Sequence, residues 1–145
     1  HRLEPVGEVG GVRFVNDSKA TNVASAAVGI GSFDRGVHAI LGGSDKGEPF
    51  APLLAPLAER ATAVYLIGDT ADRMAAELAP LADSGVAMIR AEDFDDAVRR
   101  AAAAAAPGEV VLLSPACASY DAFPNFEARG ERFREIVAAL RAENG

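Results

Sequence analysis

Val37-His-Ala-Ile-Leu-Gly-Gly-Ser-Asp-Lys-Gly47 decides how this chain is to be read. Its first half is apolar or compact at successive positions, the pattern of a strand covered on both faces rather than half-exposed. His38 falls inside that run and reads as a core or edge histidine. The second half is a glycine pair followed by a polar turn that carries Lys46. The same kind of short strand recurs at 63–67, 86–89 and 110–113, with helical stretches over 22–33, 50–60, 71–81, 94–106 and 123–141. Asp69 or Thr70 is placed to cap the third helix, and Asp93, with Asp96 three residues on, to cap the fourth. Pro107-Gly108 ends that fourth helix. Upstream, extended segments at 3–9 and 12–16 flank Gly10-Gly11, a pair suited to a tight hairpin turn. A hairpin followed by repeated helix–strand units predicts an α/β, Rossmann-like three-layer domain. Its six-stranded, mostly parallel sheet has helices on both faces. No linker or repeat interrupts residues 1–145, so one domain is expected.

Composition narrows the chemistry. At 145 residues with 50% hydrophobic and 24% charged residues, the chain is apolar enough for a real core. A net charge of −7 argues against nucleic acid, whose phosphates require a basic face. It leaves room for a small anion held by local cations. The single cysteine, Cys117, excludes a disulfide framework, and two histidines leave little for a metal site or a Ser-His-Asp triad. No apolar run approaches membrane length and no signal peptide is visible, so the cytoplasm is expected. Because the chain opens at His1 rather than Met, it reads as part of a longer protein.

In open α/β sheets ligands bind outside the carboxyl ends of the strands. Here the amino ends are plain, and three carboxyl ends are rich. These are Asn16-Asp-Ser-Lys-Ala-Thr-Asn22, Gly42-Gly-Ser-Asp-Lys-Gly47 and Ser114-Pro-Ala-Cys-Ala-Ser-Tyr-Asp121. The three loops should converge on one edge. A fourth exit, Gly68-Asp-Thr70, is short enough to be only a helix cap. Both lysines of the chain, Lys19 and Lys46, lie in the rich exits. Read locally, Asn16 to Asn22 starts a helix and the glycines turn the chain. Read functionally, Thr21 and the helix-start amides form an anion site assisted by Lys19, and Lys46 meets a carboxylate or phosphate. Neither a dinucleotide fingerprint nor a G-x-x-x-x-G-K-[ST] loop is present. Cys117, with no histidine beside it, reads as a small buried residue. Glu131 and Glu135 read as solvated helix surface.

The first of these strings, preceded by Gly11-Val12 and a short strand, resembles the opening of the C-terminal domain of the Mur ligases. Leu112-Leu-Ser-Pro-Ala-Cys-Ala-Ser119, followed by Asp121, Phe123, Asn125-Phe-Glu127, Arg129-Gly130 and Phe133, resembles that domain's last strand and helix. Together they resemble the D-glutamate-adding branch, from His1 to about Leu140. The Asp-Asn-Pro-Arg motif of the diaminopimelate- or lysine-adding branch is absent. The resemblance implies that Arg2 and Asp17 reach ATP, that Thr21 and Lys46 hold one carboxylate of D-glutamate, and that Ser119, the Tyr120 backbone and Phe126 hold the other. Lys19 matches a motif lysine near the reacting centre, so Lys19 and Lys46 are the candidate catalytic residues. Tyr120 stands where the family has leucine or methionine, a change that a backbone contact survives. The implied reaction makes an acyl phosphate from ATP and the alanine carboxylate of UDP-N-acetylmuramoyl-L-alanine, which the D-glutamate amine attacks. The phosphate loop, the Mg2+ ligands and the UDP-sugar site would lie upstream. The implied enzyme is monomeric, and this chain alone is inactive. A non-catalytic Rossmann-like binding module, or another amino-acid or polyglutamate ligase of the superfamily, remains the alternative.

Overall fold

A computed structural model describes His1–Asn144. Strands β1 (Glu4–Val9) and β2 (Val12–Asn16) form the expected antiparallel hairpin around Gly10-Gly11. Then come α1 (Val23–Gly31), β3 (Val37–Gly42), α2 (Leu54–Arg60), β4 (Ala61–Ile67), α3 (Ala71–Glu77), β5 (Ala87–Arg90), α4 (Phe94–Ala104), β6 (Val110–Leu113) and α5 (Phe126–Asn144). The sheet order is β1-β2-β6-β3-β4-β5, with every pairing parallel except the hairpin. No helix among the described residues is long and apolar enough to cross a membrane.

Successive strand residues point to opposite faces, and both faces are covered. Val37, Ala39 and Leu41 pack with Val64, Leu66, Val110 and Leu112 against α1, α2 and α3. Ile40, Tyr65, Ile67, Val111 and Leu113 pack on the other side against α4 and α5. This is the three-layer arrangement expected from the unbroken apolar runs.

Helix bounds depart from the sequence reading where proline or a cap intervenes. The stretch 50–60 opens as a 3-10 turn, Ala51–Leu53, around Pro52 before α2 begins. The stretch 71–81 breaks after Glu77 and continues as a second 3-10 segment, Ala79–Ser84, because Pro80 has no N–H to donate. The fourth helix stops at Ala104, since the residue before Pro107 is kept out of the α region. The last helix starts at Phe126, where the Asn125 side chain accepts from the Ala128 amide at 2.7 Å. Asp93 caps α4 as expected, accepting from the Asp96 amide at 2.8 Å, and Asp96 answers by accepting from the Glu92 amide.

The amino ends of the strands are less plain than their sequence. Glu109 accepts from the Ala106 amide at 2.7 Å and from the Thr62 hydroxyl at 2.9 Å. It also pairs with buried His38 at 3.0 Å, whose other ring nitrogen meets the Tyr65 hydroxyl at 3.0 Å. His38 is therefore a satisfied core histidine. Burial opposes the Glu109 charge, but the bonds from Ala106, His38 and Thr62 outweigh it and hold its pKa below the ordinary value. A depressed carboxyl pKa contributes stability above the unfolded value of about 4.3, which is lost as pH falls through the folded value. Glu109→Gln should therefore lower Tm at pH 7, and the gap from wild type should close below about pH 4. Thermal melts across that range check it; a gap unchanged at pH 3 contradicts it.

Candidate functional site

At the carboxyl edge of the sheet, backbone bonds join the three rich loops. The Asp17 amide donates to Leu113 at 2.7 Å, the Gly42 amide to Pro115 at 2.9 Å, and the Ser44 amide to Ala118 at 2.9 Å. Gly43 has φ +155°, and a Cβ there would overlap the Ala118 carbonyl, so only glycine lets β3 leave the sheet this close to the third loop. Ala116 adopts φ +66° without being glycine, a cost of about 1 kcal/mol accepted where the loop must reverse. The fourth exit takes part too, which corrects its reading as a cap. The Thr70 hydroxyl accepts from the Gly43 amide at 3.1 Å and makes no cap bond to α3, while the Asp69 amide donates to Asp121 at 3.2 Å.

Arg2, Asp17 and Lys19 line one cavity of about 200 Å³ together with Leu3, Ser25 and Gly29. Asp17 is buried, accepting from the Ser114 hydroxyl at 2.6 Å and the Leu3 amide at 3.1 Å. Burial pushes its pKa above the ordinary carboxylate value despite these bonds. A Cβ on Gly29 would lie 2.5 Å from the Asp17 carboxylate, so α1 needs glycine there to pass so near. Arg2 and Lys19 are exposed at the rim, and among the described residues neither forms an ion pair.

Thr21 and Lys46 come together as expected. The exposed Lys46 ammonium donates to the Thr21 carbonyl at 2.9 Å. The α1 amides, however, do not form the open anion site expected of them. Glu48 accepts from the Val23 amide at 2.9 Å, and Asn22 accepts from the Ser25 amide at 2.8 Å. Asn22 from the turn itself and Glu48 from the second loop fill those positions, leaving Thr21 and Lys46 themselves.

Ser119 is 2% exposed, and its hydroxyl finds no hydrogen-bond partner. Buried hydroxyls are almost always satisfied, which sets Ser119 apart from the other buried polar side chains of the edge. Tyr120 is 73% exposed, consistent with a residue that contributes backbone rather than side chain. The Phe126 carbonyl accepts from the Ser18 hydroxyl at 2.7 Å, and its ring meets His1 edge-on at 5.8 Å. Thr21, Lys46, Ser119, Tyr120 and Phe126 do not line the cavity around Arg2, Asp17 and Lys19, and of these five only Thr21 and Lys46 are joined by a hydrogen bond among the described residues.

Arg129, read in the sequence only as part of the last helix's pattern, has a structural role at this edge that the sequence reading did not give it. It is buried and donates to the Ser18 hydroxyl, the Ser18 carbonyl and the Cys117 carbonyl at 2.9, 2.8 and 2.9 Å, tying the first loop to the third. Its signal was an arginine on the same helical stripe as Gly130, Phe133, Ile136, Val137 and Leu140. Burial pushes the neighbouring Cys117 thiol up, as befits a packed rather than a reactive cysteine. Among the described residues no group of three or more His, Cys, Asp or Glu side chains could hold a metal.

The family described as Mur ligase, glutamate ligase domain, matches residues 1–117. A UDP-N-acetylmuramoylalanine–D-glutamate ligase of Acidobacterium capsulatum is 49% identical over 141 residues, covering 97% of this chain and 30% of that protein. One from Ralstonia nicotianae is 46% identical over 145 residues, covering 100% of this chain and 28% of that protein. The chain thus spans about 30% of the length of these relatives. The MurF ligase of Thermotoga maritima, solved in complex with ADP, has the same fold. Its TM-score is 0.56 at 18% identity, over 99% of this chain and 32% of that one. Exit loops, three-layer sheet and family match agree: the chain belongs to the Mur ligases, in their glutamate ligase domain.

Proposed function

We propose that this chain is the D-glutamate-binding C-terminal domain of an ATP-dependent ligase, one that joins D-glutamate to UDP-N-acetylmuramoyl-L-alanine in peptidoglycan synthesis. The observation that carries the reading is 49% identity across nearly the whole chain to a ligase named for that reaction. The geometry supports it. A dicarboxylic amino acid needs two anion sites, and this edge offers two. Thr21 and Lys46 take one carboxylate. The Ser119 hydroxyl, the Tyr120 amide and Phe126 take the other. Arg2 and Asp17, which line one cavity with Lys19, face ATP, and Lys19 lies near the reacting centre.

ATP supplies the phosphoryl group that activates the alanine carboxylate. The chain itself binds D-glutamate, neutralises its charge and orients its amine, so its share of catalysis is positioning. No metal ligand is assigned to it; Mg2+ belongs to the rest of the enzyme with the phosphate loop and the UDP-sugar site. The reading makes the enzyme cytoplasmic and monomeric, with no nucleic-acid or membrane partner.

The 145-residue chain on its own should unfold cooperatively but release no phosphate from ATP with D-glutamate and UDP-N-acetylmuramoyl-L-alanine. A coupled phosphate assay that detects ligation by the chain alone contradicts the assignment.

In the full-length enzyme, Lys46→Ala removes a charge-assisted bond worth about 1.5–3 kcal/mol, on the order of 10- to 150-fold in effective affinity. The loss should fall on the D-glutamate KM, with ATP and UDP-sugar values nearly unchanged. Lys46→Arg should be impaired as well, because a planar fork does not replace a compact charge. Wild-type kinetics in both variants would remove Lys46 from the site.

Ser119→Ala separates function from stability. An unpaired buried hydroxyl costs about 1–3 kcal/mol, so the variant should melt at or above the wild-type Tm while its D-glutamate KM rises. A lowered Tm with an unchanged KM would make Ser119 purely structural.

A further inference from the structure

Lys46 stands on an exposed turn that carries Gly47 and has little reason of its own to keep one shape. What holds the turn is a side chain from another element. Arg73, on α3, donates from Nε and Nη2 to the two oxygens of Asp45, at 3.2 and 2.9 Å. The same Nη2 donates to the Glu48 carbonyl at 2.9 Å, so one guanidinium grips the chain on both sides of Lys46. Its plane lies over the Phe50 ring, 4.2 Å from the centroid. Its remaining nitrogen donates to Glu77 at 2.6 Å, and Glu77 in turn accepts from the Phe50 amide at 2.9 Å. Asp45 closes the turn from within, accepting from the Gly47 amide at 2.8 Å.

The geometry points to Arg73 as a positioning residue that fixes Lys46 and keeps its ammonium available to a ligand carboxylate. This rests on the reading of Lys46 given above. Two effects combine. The bidentate fork fixes the direction in which the turn presents Lys46, as planar guanidinium–carboxylate pairs do. The fork also occupies the carboxylate of Asp45, the acid next to the lysine in sequence, so that this charge is engaged away from Lys46. Lys46 is left with a neutral carbonyl, that of Thr21, and no ion pair among the described residues. The Arg73 bond is the chief influence holding the Asp45 pKa below the ordinary range, so the clamp stays charged at neutral pH.

The test has two arms. In the full-length ligase, Arg73→Gln should raise the D-glutamate KM roughly 3- to 30-fold, with kcat and the ATP KM within about twofold of wild type. Arg73→Lys, with charge but no fork, should recover only part of the loss. In a Lys46→Ala background Arg73→Gln should add nothing, because it acts through that lysine. In the second arm, NMR relaxation of the 145-residue chain should show the Lys46 and Gly47 amides gaining motion in Arg73→Gln.

A wild-type D-glutamate KM in Arg73→Gln beside a raised one in Lys46→Ala overturns the proposal while sparing the site. So do effects that multiply in the double variant, or a lowered Tm with no change in the turn. A wild-type KM in Lys46→Ala sinks the site reading and the proposal with it, while the NMR arm still reports whether the clamp holds the turn.

Discussion

A guanidinium buried to 1% exposure, with no carboxylate paired to it among the described residues, is the contact on which the carboxyl edge depends. Burying an isolated charge is expensive, and most proteins neutralise it with an acid. Arg129 instead donates to two carbonyls and a hydroxyl, and burial pulls its pKa down to about 10, still charged at neutral pH. All of these acceptors belong to Ser18 and Cys117, so the bonds that satisfy the charge also join the first loop to the third. The Ser18 hydroxyl passes the link on to the Phe126 carbonyl at the start of α5. An acid at this point would have satisfied Arg129 locally and removed its link between the loops, leaving the bond from Ser114 to Asp17 to join them.

The two edges of the sheet use polar groups in opposite ways. At the amino edge Glu109, His38, Thr62 and Tyr65 satisfy one another, and the result is a closed network with nothing left to offer. At the carboxyl edge the local rules are broken together: a left-handed alanine at 116, a crowded glycine at 43, an unpartnered hydroxyl at 119. Such departures collect where a fold serves a ligand rather than its own stability.

Much of this was legible in the chain. Unbroken aliphatic runs require cover on both faces, and the structure supplies α1 to α3 on one side and α4 with α5 on the other. The exit loops meet as expected, because parallel strands point every carboxyl end the same way. The strand order was not legible, since β6 inserts between β2 and β3 through pairings that no local pattern encodes. Thr70 was misjudged, and the helix-capping role of Glu48 left unread, for a shared reason. Thr70 looked like a cap for its own helix but serves Gly43 in another loop, and Glu48 fills the start of a helix 25 residues upstream. Side chains that work across loops leave no periodic trace. Arg73 is the extreme case, an ordinary helical arginine until α3 is set beside the turn of Lys46.

The net charge of −7 sets a problem for any site that would hold a carboxylate, and the placement of acids answers it. Asp45 is gripped by Arg73, Asp17 accepts from Ser114 and Leu3, Glu48 accepts from Val23, and Asp121 accepts from Asp69. These four acids already have donors. The exposed cations Arg2, Lys19 and Lys46 form no ion pair among the described residues. More distant acids are screened beyond about 8 Å at physiological salt, so the sign a ligand meets is set by its immediate neighbours. Internal donors engage the local acids, and the local cations stay exposed at the edge. An acidic protein can thus keep cations exposed around Arg2, Lys19 and Lys46 without a basic surface, and without one it lacks the extended cationic face that a nucleic-acid backbone requires.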